Sequence, residues 1–408
     1  MNLKSIWNQR LLTAALLAIF TIVANCGTTQ AWEEHTVDTR LFTGEAARFT
    51  VDSELTRRYL AADWNAKAAG DDIVGQEIRA LLKQFDALKL TQENLRRLSQ
   101  RTSPDFATAY FIRRAWQRPE NRVFQNQFTA FVRGLRENSG RSALSENRKW
   151  NERIGEDYVF LFAPGLLYQS KPETKSDMLP QRLLLQSMGL RAELLPVHQA
   201  GSVEDNARVI ADAIRRHRDS KIVLVSASKG GPDVAQALGV ELDETESRHV
   251  QAWVNVGGAI GGSPLADEIL SSWEMPFARL YGWFLGVDAC ELATSLSVKA
   301  SRLRRLRQNI PDRIFVLNYV AVPFSGSVIE EVRGPYARLR ALGPNDGIVL
   351  LTEQVLSSDD QMILAIGSDH RFRDPEIDIK TVALTRIVLE RIEGTAGSAR
   401  TTGSAGRP

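Results

Sequence analysis

Short apolar runs alternate with amphipathic helical segments through the second half of this 408-residue chain, and this alternation limits the possible folds more than any other feature. Strands are predicted at 158–163, 191–195, 221–225, 250–256, 314–320 and 362–366, and helices at 181–188, 206–217, from about 233 and at 379–392. Strands that alternate with helices form parallel sheets whose crossover helices cover both faces. Residues 151–393 are therefore predicted to form an α/β domain with a mostly parallel sheet.

The flanking segments have a different character. Residues 32–150 begin with short β-prone pieces and continue with apolar residues at the helical spacings of three and four, which predicts a mainly helical accessory region ending in a polar linker at 137–150. A helical insertion is predicted at about 264–309. Its Trp, Phe and Leu side chains leave two interpretations open: a cap that forms the acyl pocket, or a helical hairpin that packs on the core. Residues 394–408 are rich in Gly, Ser and Thr and predict a disordered tail.

The N-terminus has the pattern of a targeting segment. An apolar run at 11–24 follows two basic residues, and it has the length of a signal-peptide core rather than of a ~20-residue membrane span. The residues around Cys26 resemble a bacterial lipobox, although Asn25 departs from the usual small residue, and 29–31 offer an ordinary cleavage site. Residues 1–31 are therefore predicted to be a signal peptide or membrane anchor, and the protein to be exported, as a periplasmic or membrane-anchored protein.

Charge and cysteine content exclude several classes of function. The net charge is +2, so no basic field indicates a nucleic-acid partner. The two cysteines, Cys26 and Cys290, are too few for a disulfide framework or a zinc motif. Cys290 is expected to be a small buried hydrophobic residue. No metal and no cofactor is expected. The glycine-rich stretch 257–262 lacks the order of a dinucleotide-binding loop and is better explained as a tight turn beside the candidate nucleophile.

The predicted strand at 221–225 ends in a serine- and glycine-rich turn, within the stretch LVSASKGG at 224–231. The order strand, small-x-Ser-x-small, helix is that of a nucleophile elbow, with Ser228 between the small residues Ser226 and Gly230. Residues two before and two after the nucleophile are expected to crowd each other, which requires both to be small. There are two alternatives: an ordinary strand-to-helix turn, or a Ser-x-x-Lys motif from Ser226 to Lys229. The Ser-x-x-Lys motif normally opens a long helix, which the residues from Gly230 onward would break.

A nucleophilic serine requires a base and a residue that orients the base. His370 follows the last predicted strand at the carboxyl edge of the sheet, where a base must stand, and His198 is the second candidate. The acid should lie between serine and histidine in the chain, and Asp346 in an Asn-Asp-Gly turn is the first choice. Asp369 and Asp359 are weaker candidates for the acid.

An oxyanion hole requires two backbone N–H donors. Lys229 follows the nucleophile at the start of a helix, whose dipole favours negative charge. Leu166 follows Pro164 and Gly165, which form a tight turn after the predicted strand at 158–163. The amides of Leu166 and Lys229 are therefore the predicted donors.

Together the elbow around Ser228, the Asn-Asp-Gly turn at Asp346, the Ser-Asp-His loop at His370 and the Pro-Gly turn before Leu166 resemble the α/β-hydrolase superfamily, and within it the bacterial lipases and esterases. The resemblance covers about residues 155–393. It implies a Ser228–His370–Asp346 triad, and Pro164 departs from the histidine often found at that position of the family.

The resemblance implies a serine hydrolase of small-molecule or lipid carboxylic esters. The N-terminal pattern separately predicts membrane association through residues 1–31. Two other hypotheses stay open at this point. One is an acyltransferase or thioesterase that uses the same triad, and the other is a non-catalytic envelope scaffold with a hydrolase-like fold. The sequence does not distinguish the length of the acyl chain or the alcohol.

Overall fold

The computed structural model describes residues 32–64, 70–137, 156–272, 288–305, 309–357 and 359–402, without the side chains of 303–305 and 395–402. The predicted targeting segment at 1–31 lies outside these ranges, as does nearly all of the predicted linker at 137–150. Within the described ranges, no helix combines the length and hydrophobicity required to cross a membrane.

Eight strands and thirteen α-helices make up the described part of the chain. The strands are β1 His35–Arg40, β2 Ala46–Val51, β3 Tyr158–Ala163, β4 Arg191–Leu194, β5 Lys221–Ala227, β6 Val250–Val256, β7 Phe315–Val322 and β8 Met362–Ile366. The helices are α1 Glu54–Ala61, α2 Ile73–Asp86, α3 Gln92–Arg101, α4 Pro104–Trp116, α5 Pro119–Glu137, α6 Leu179–Ser187, α7 Val203–Arg216, α8 Gly230–Gln236, α9 Pro264–Ser271, α10 Ala289–Leu296, α11 Val298–Arg305, α12 Glu330–Leu339 and α13 Ile377–Thr402.

Six strands form one sheet in the order β4-β3-β5-β6-β7-β8, and every neighbouring pair is parallel. The central strands are largely apolar because helices cover both faces, and β3 is buried along its whole length. Helices α7 and α8 pack on one face, where Leu161, Leu224 and Trp253 are buried. Helices α5, α6 and α13 pack on the other, over Phe160 and Tyr319. The predicted α/β fold with a mostly parallel sheet is confirmed.

The accessory region packs directly on this sheet. Its β1–β2 hairpin is antiparallel, and helices α1 to α4 share one hydrophobic core with side chains of β7 and β8, among them Val322 and Leu364. Helix α5 closes the edge of the sheet beside β8. The Asn121 Oδ1 accepts from the amide of Met362 at 2.9 Å, and the Gln125 Oε1 accepts from the amide of Leu364 at 2.8 Å. These side chains satisfy backbone donors that an edge strand would otherwise expose.

A buried carboxylate ties the accessory region to the loop after β7. Asp105, at the start of α4, accepts from the amide of Asp52 at 2.8 Å and from the Ser325 hydroxyl at 2.6 Å. The Tyr336 hydroxyl donates to it at 3.3 Å, while the Asp52 carboxylate is paired with Arg340 at 2.9 Å. Burial raises the pKa of Asp105 to about 7, and the neighbouring Asp52 charge acts in the same direction.

The C-terminal tail and Cys290 differ from the predictions, whereas the insertion agrees with them. Helix α13 continues to Thr402, so the part of the predicted disordered tail from Gly394 to that residue is helical, since extending an existing helix adds a backbone hydrogen bond per residue. The described parts of the insertion at 264–309 are helical, as predicted. Cys290 is half-buried rather than fully buried, because it lies in the first turn of α10.

The raised pKa of Asp105 gives a pH dependence of stability. Folded Asp105 keeps its proton up to about pH 7, whereas an unfolded aspartate loses it near pH 4. The folded state therefore binds the extra proton, and the contribution of Asp105 to the free energy of unfolding should fall as pH rises from about 4 to about 7 and then level off. Asp105→Asn should flatten that slope in urea unfolding measured across this range. Asp219→Asn, at an exposed carboxyl, should leave the slope unchanged. An unaltered slope in the Asp105 variant would contradict the assignment.

Candidate active site

The candidate nucleophile lies on a strained turn between β5 and α8. Ser228 has a φ angle of +49°, in the left-handed region that residues with a Cβ rarely adopt. Its amide donates to the carbonyl of Val256 at 3.1 Å, and its carbonyl accepts from the amides of Gly231 and Ala259, both at 3.0 Å. Neighbouring backbone therefore holds Ser228 in this conformation, as is usual where strain persists at a functional site.

The small residues on either side of Ser228 are required for different reasons. A Cβ on Gly230 would lie 2.3 Å from the carbonyl oxygen of Ala163 and 2.9 Å from that of Pro164. Helix α8 therefore starts against the end of β3. Ser226 is fully buried, and its hydroxyl accepts from the indole nitrogen of Trp253 at 2.8 Å. The atoms nearest to a Cβ at 230 belong to Ala163 and Pro164 at the end of β3 and not to Ser226, which was the expected neighbour.

The structure brings the three predicted catalytic side chains together in one line. The Ser228 Oγ lies 2.9 Å from the His370 Nε2, and the His370 Nδ1 lies 2.7 Å from the Asp346 Oδ2. The carboxylate fixes the ring tautomer, because Nδ1 donates to it and Nε2 is left as the acceptor for the serine hydroxyl. The amide of His370 also donates to the carbonyl of Asp346 at 2.9 Å. The two loops that carry the acid and the base are thus joined by backbone as well.

The Asp346 carboxylate is preorganised by its own turn. It is completely buried, and its second oxygen accepts from the amides of Ile348 at 2.9 Å and Val349 at 2.7 Å. The Asn345 side chain accepts from the amide of Gly347 at 2.9 Å, and Gly347 has a φ angle of +103°, which glycine tolerates. Each residue of the Asn-Asp-Gly turn therefore has a defined structural part.

The weaker candidates lie elsewhere. Asp369 accepts from the amides of Ile329 at 2.8 Å and Arg371 at 2.9 Å, so its carboxylate braces the loop of His370. Burial raises the pKa of Asp369. The ring of His198 accepts from the amide of Ala200 at 3.4 Å. Asp359 pairs with Arg118 at the surface. None of these three candidates contacts Ser228 through a hydrogen bond in the described residues.

The two predicted oxyanion donors flank the serine. Lys229 is the next residue, and Leu166 lines the same cavity as Ser228 and His370. A Cβ on Gly165 would lie 3.3 Å from the Ser228 Cβ, so the loop of Leu166 runs close to the nucleophile. Among the backbone hydrogen bonds of the described residues, the amides of Gly165 and Leu167 both donate, but those of Leu166 and Lys229 do not. Both amides are left to bind a developing negative charge.

The Lys229 side chain is engaged in a buried ion pair. Its ammonium donates to both carboxylate oxygens of Asp233, at 2.9 and 2.8 Å, and both side chains are almost fully buried. Asp233 also accepts from the Asn206 amide at 2.9 Å. This geometry does not fit the Ser-x-x-Lys alternative, in which the lysine serves as the base, because the ammonium is held by a carboxylate and not by a serine.

Comparison with solved structures gives distant likenesses. A carboxyl esterase from a metagenome has a TM-score of 0.47 and 20% identity, covering 58% of this chain and 76% of that one. A mature lipase of Bacillus licheniformis has a TM-score of 0.43 and 21% sequence identity, and the match covers 57% of this chain and 91% of the lipase. A putative aryl esterase of Burkholderia cenocepacia has a TM-score of 0.33 and 15% sequence identity, and the match covers 58% of this chain and 92% of the esterase. No protein-family model and no curated protein sequence matches the chain.

These likenesses are too distant to carry an argument, so the fold assignment depends on the strand order and on the connections at the carboxyl edge of the sheet. Ser228 follows β5, Asp346 lies between β7 and β8, and His370 follows β8. That chain order on a parallel sheet is the one described for α/β hydrolases. The fold is an α/β-hydrolase fold.

A cavity of about 880 Å³ opens beside Ser228 and His370. Its rim lies between the loop after β3 and the loop after β8, and its interior extends over the sheet face beneath α6 and α13. None of the described residues of the insertion at 264–309 lines it. The interpretation of the insertion as the wall of an acyl pocket is thus not supported for α9, α10 or α11. Its aromatic residues at 273–287 lie outside the described residues.

One group of packed residues beside His370 has no local signature in the sequence. Phe372 has a φ angle of +45° and stacks on Tyr319 with ring centroids 5.4 Å apart. A Cβ on Gly257 would lie 2.7 Å from the Phe372 ring. The glycine of the 257–262 stretch was visible in the sequence, but the aromatic side chain that requires it lies more than a hundred residues later. All three residues line the cavity.

The close contact at Gly230 predicts a local cost for any side chain there. Gly230→Ala places a Cβ 2.3 Å from a backbone oxygen, so the turn must shift, and overpacking of this kind lowers the free energy of unfolding by about 1–3 kcal/mol. Gly134→Ala is the matched control, because a Cβ there meets nothing within 4 Å and alanine favours a helix by up to ~1 kcal/mol. Urea unfolding of the two variants measures the difference. Equal stabilities would contradict the packing described here.

Proposed function

We propose that this protein hydrolyses carboxylic esters through an acyl-enzyme on Ser228. The observation that carries the proposal is the continuous hydrogen-bonded line from the Asp346 carboxylate through His370 to the Ser228 hydroxyl. A serine is a weak nucleophile at neutral pH unless a positioned base takes its proton. The base must present Nε2 to the serine, and the buried Asp346, which accepts from Nδ1, holds the ring of His370 in that orientation.

The reaction proceeds in two steps, acylation of Ser228 and hydrolysis of the acyl-enzyme. The Ser228 Oγ bonds to the ester carbonyl carbon while its proton passes to the His370 Nε2, and the amides of Leu166 and Lys229 bind the oxyanion. His370 then gives the proton to the leaving alcohol, whose bond to the acyl carbon breaks. Water attacks the acyl-enzyme in the same way, with His370 as base. The products are a carboxylic acid and an alcohol, and the serine is regenerated.

The other hypotheses differ in their support. A non-catalytic scaffold has no requirement for a buried carboxylate, an oriented imidazole and a strained serine in one line, so the site geometry favours an enzyme over a scaffold. A thioesterase or acyltransferase would use the same side chains, and only the acceptor of the acyl group differs. The hydrolase is proposed because its acceptor, water, requires no binding site of its own.

Labelling with a fluorophosphonate probe tests this proposal. The wild-type protein should become labelled and should turn over p-nitrophenyl esters, whereas Ser228→Ala should lose labelling and about 10⁴-fold or more in turnover. Asp346→Asn should keep the fold but lose on the order of 10⁴-fold, because the ring no longer holds the reactive tautomer.

Ser226→Ala is the matched control, since this neighbouring serine is buried against Trp253 and points away from the line of catalytic groups. It should remain labelled. Folded wild-type protein that does not react, or a Ser228→Ala variant that does, would contradict the proposal. Turnover that requires an added alcohol or thiol rather than water would assign the same triad to an acyltransferase.

We propose further that the enzyme acts after export, on the basis of the signal-like residues 1–31. Fractionation of cells that express the whole chain should place it outside the cytoplasm, and Cys26→Ala should abolish incorporation of a radioactive fatty acid if the cysteine is lipidated. Release of the unmodified protein as a soluble periplasmic form would instead support cleavage at residues 29–31.

A further inference from the structure

The cavity beside Ser228 is far larger than the voids of an ordinary protein interior. Protein cores are packed nearly as densely as organic crystals, with few voids larger than a water molecule. Here about 880 Å³ of space, counting the open mouth, lies between the sheet and its covering helices. An empty apolar cavity costs stability. Space of this size next to a candidate nucleophile therefore calls for an occupant.

The wall formed by the sheet is apolar along several steps below the serine. The lining side chains on the strands are Phe160, Phe162, Val225, Ala227, Val254, Val256 and Tyr319. They point to one face because side chains alternate along a strand. Phe160, the lining residue of β3 farthest from the serine, pairs with Val223 of β5. Val223 lies five residues before Ser228. At ~3.3 Å per residue, the cavity reaches roughly 16 Å below the serine.

The wall formed by α13 gives the same length independently. Ile377, Thr381, Leu384, Thr385 and Val388 line the cavity from one side of the helix. The eleven steps from the first to the last of these residues span roughly 16 Å at ~1.5 Å per step. The helix runs antiparallel to the strands, because the Tyr158 hydroxyl at the start of β3 donates to Glu393 near its far end at 2.6 Å.

The polar atoms on this wall are already satisfied. The Thr381 hydroxyl donates to the carbonyl of Ile377 at 2.7 Å, and the Thr385 hydroxyl donates to the carbonyl of Thr381 at 2.9 Å. Both hydroxyls are therefore already engaged as donors on the helix itself. The far end is closed by Phe160, Leu185 and Val388, which are at most 2% exposed. The interior thus offers an occupant only apolar contacts.

The rim of the cavity is polar and carries both signs of charge. It contains three basic and three acidic side chains, namely Lys175, Arg371, Arg373, Glu173, Asp374 and Asp378. Because both signs are present, the rim does not favour a substrate whose alcohol part carries a positive charge over one whose alcohol part carries a negative charge. The contrast between a charged rim and an apolar interior orients an ester, with the hydrocarbon chain inward and the alcohol outward.

We propose that this cavity is the acyl-chain site, and that the enzyme prefers esters of unbranched fatty acids of about ten to twelve carbons. The proposal rests on the ester hydrolysis proposed above and names its substrate class. An extended chain advances ~1.3 Å per methylene, from C–C bonds of ~1.5 Å at tetrahedral angles, so roughly 16 Å holds about twelve carbons. The chain lies against the sheet face, beneath α6 and α13, and not under the helical insertion.

The test is the chain-length profile of p-nitrophenyl esters from acetyl to hexadecanoyl. For the wild-type protein, kcat/KM should rise to a maximum at ten to twelve carbons and fall beyond, since each buried methylene adds roughly fourfold to binding. Val225→Phe fills the middle of the cavity, about 10 Å below Ser228 at ~3.3 Å per residue. It should lower kcat/KM for the dodecanoyl ester at least tenfold and leave the acetyl ester within about threefold.

Two further variants keep this test interpretable. Val316→Phe makes the same substitution on the opposite face of the sheet, at a half-buried position outside the cavity, and should keep the wild-type profile. Thr385→Phe fills the cavity from α13 and should give the chain-length profile expected for Val225→Phe. It can replace Val225→Phe in the test if that variant does not fold. An unchanged profile in either folded cavity variant would overturn the proposal.

A second readout separates this inference from the proposed function. Dodecanoate should raise the melting temperature of the Ser228→Ala protein, and acetate should not, because binding in the cavity does not require turnover. Val225→Phe should abolish the shift in the Ser228→Ala background. Short-chain turnover without any shift would refute the cavity site and leave the esterase proposal standing. A shift in a protein that neither turns over esters nor reacts with fluorophosphonate would refute the enzyme and leave a fatty-acid site.

Discussion

The position of Ser228 depends on one close backbone contact, between Gly230 at the start of α8 and the carbonyl groups of Ala163 and Pro164 at the end of β3. The contact sets the distance between two segments that each supply a candidate oxyanion donor, the amides of Leu166 and Lys229. Backbone hydrogen bonds to Val256, Gly231 and Ala259 hold Ser228 at its positive φ angle beside this contact. A single glycine thus links the strain at the nucleophile to the site where negative charge would develop.

The loop of His370 depends on a longer series of contacts, which begins in the accessory region. Asp105 in α4 binds Ser325, just after β7. Four residues later, the amide of Ile329 donates to Asp369, and the next residue is the histidine itself. The accessory region therefore stabilises the loops at the carboxyl edge of the sheet. It shares their hydrophobic core rather than forming a separate unit.

The sequence allowed the sheet and the three central residues of the candidate site to be predicted, because both depend on local patterns. The strand at 158–163 and the strand at 362–366 were predicted to the residue, since continuous apolar runs have clear limits. The turns at Ser228 and Asp346 have short-range signatures in which every residue has a steric reason. Helix ends were less well predicted, and α7 begins at Val203 rather than at 206, because the side chain of Ser202 caps it.

What the sequence could not supply is the set of contacts between distant segments. The pairing of Asn121 and Gln125 with the backbone of β8 joins residues about 240 positions apart, and no local pattern marks such a pair. The cavity is a stronger example. Leu384 and Phe160 look like ordinary core residues in the sequence, and only the distance between helix and sheet decides whether such side chains meet or enclose a space.

That distance is set at both ends of the part of α13 that lines the cavity. Near its start, Glu376 pairs with Arg136 of α5 at 2.5 Å, and toward its far end Glu393 accepts from Tyr158 of β3 at 2.6 Å. Between these two attachments the hydroxyls of Thr381 and Thr385 donate to carbonyls of the helix itself and not to the sheet. Since α5 belongs to the accessory region, that region helps to hold the cavity open and takes part in the site without contributing a catalytic group.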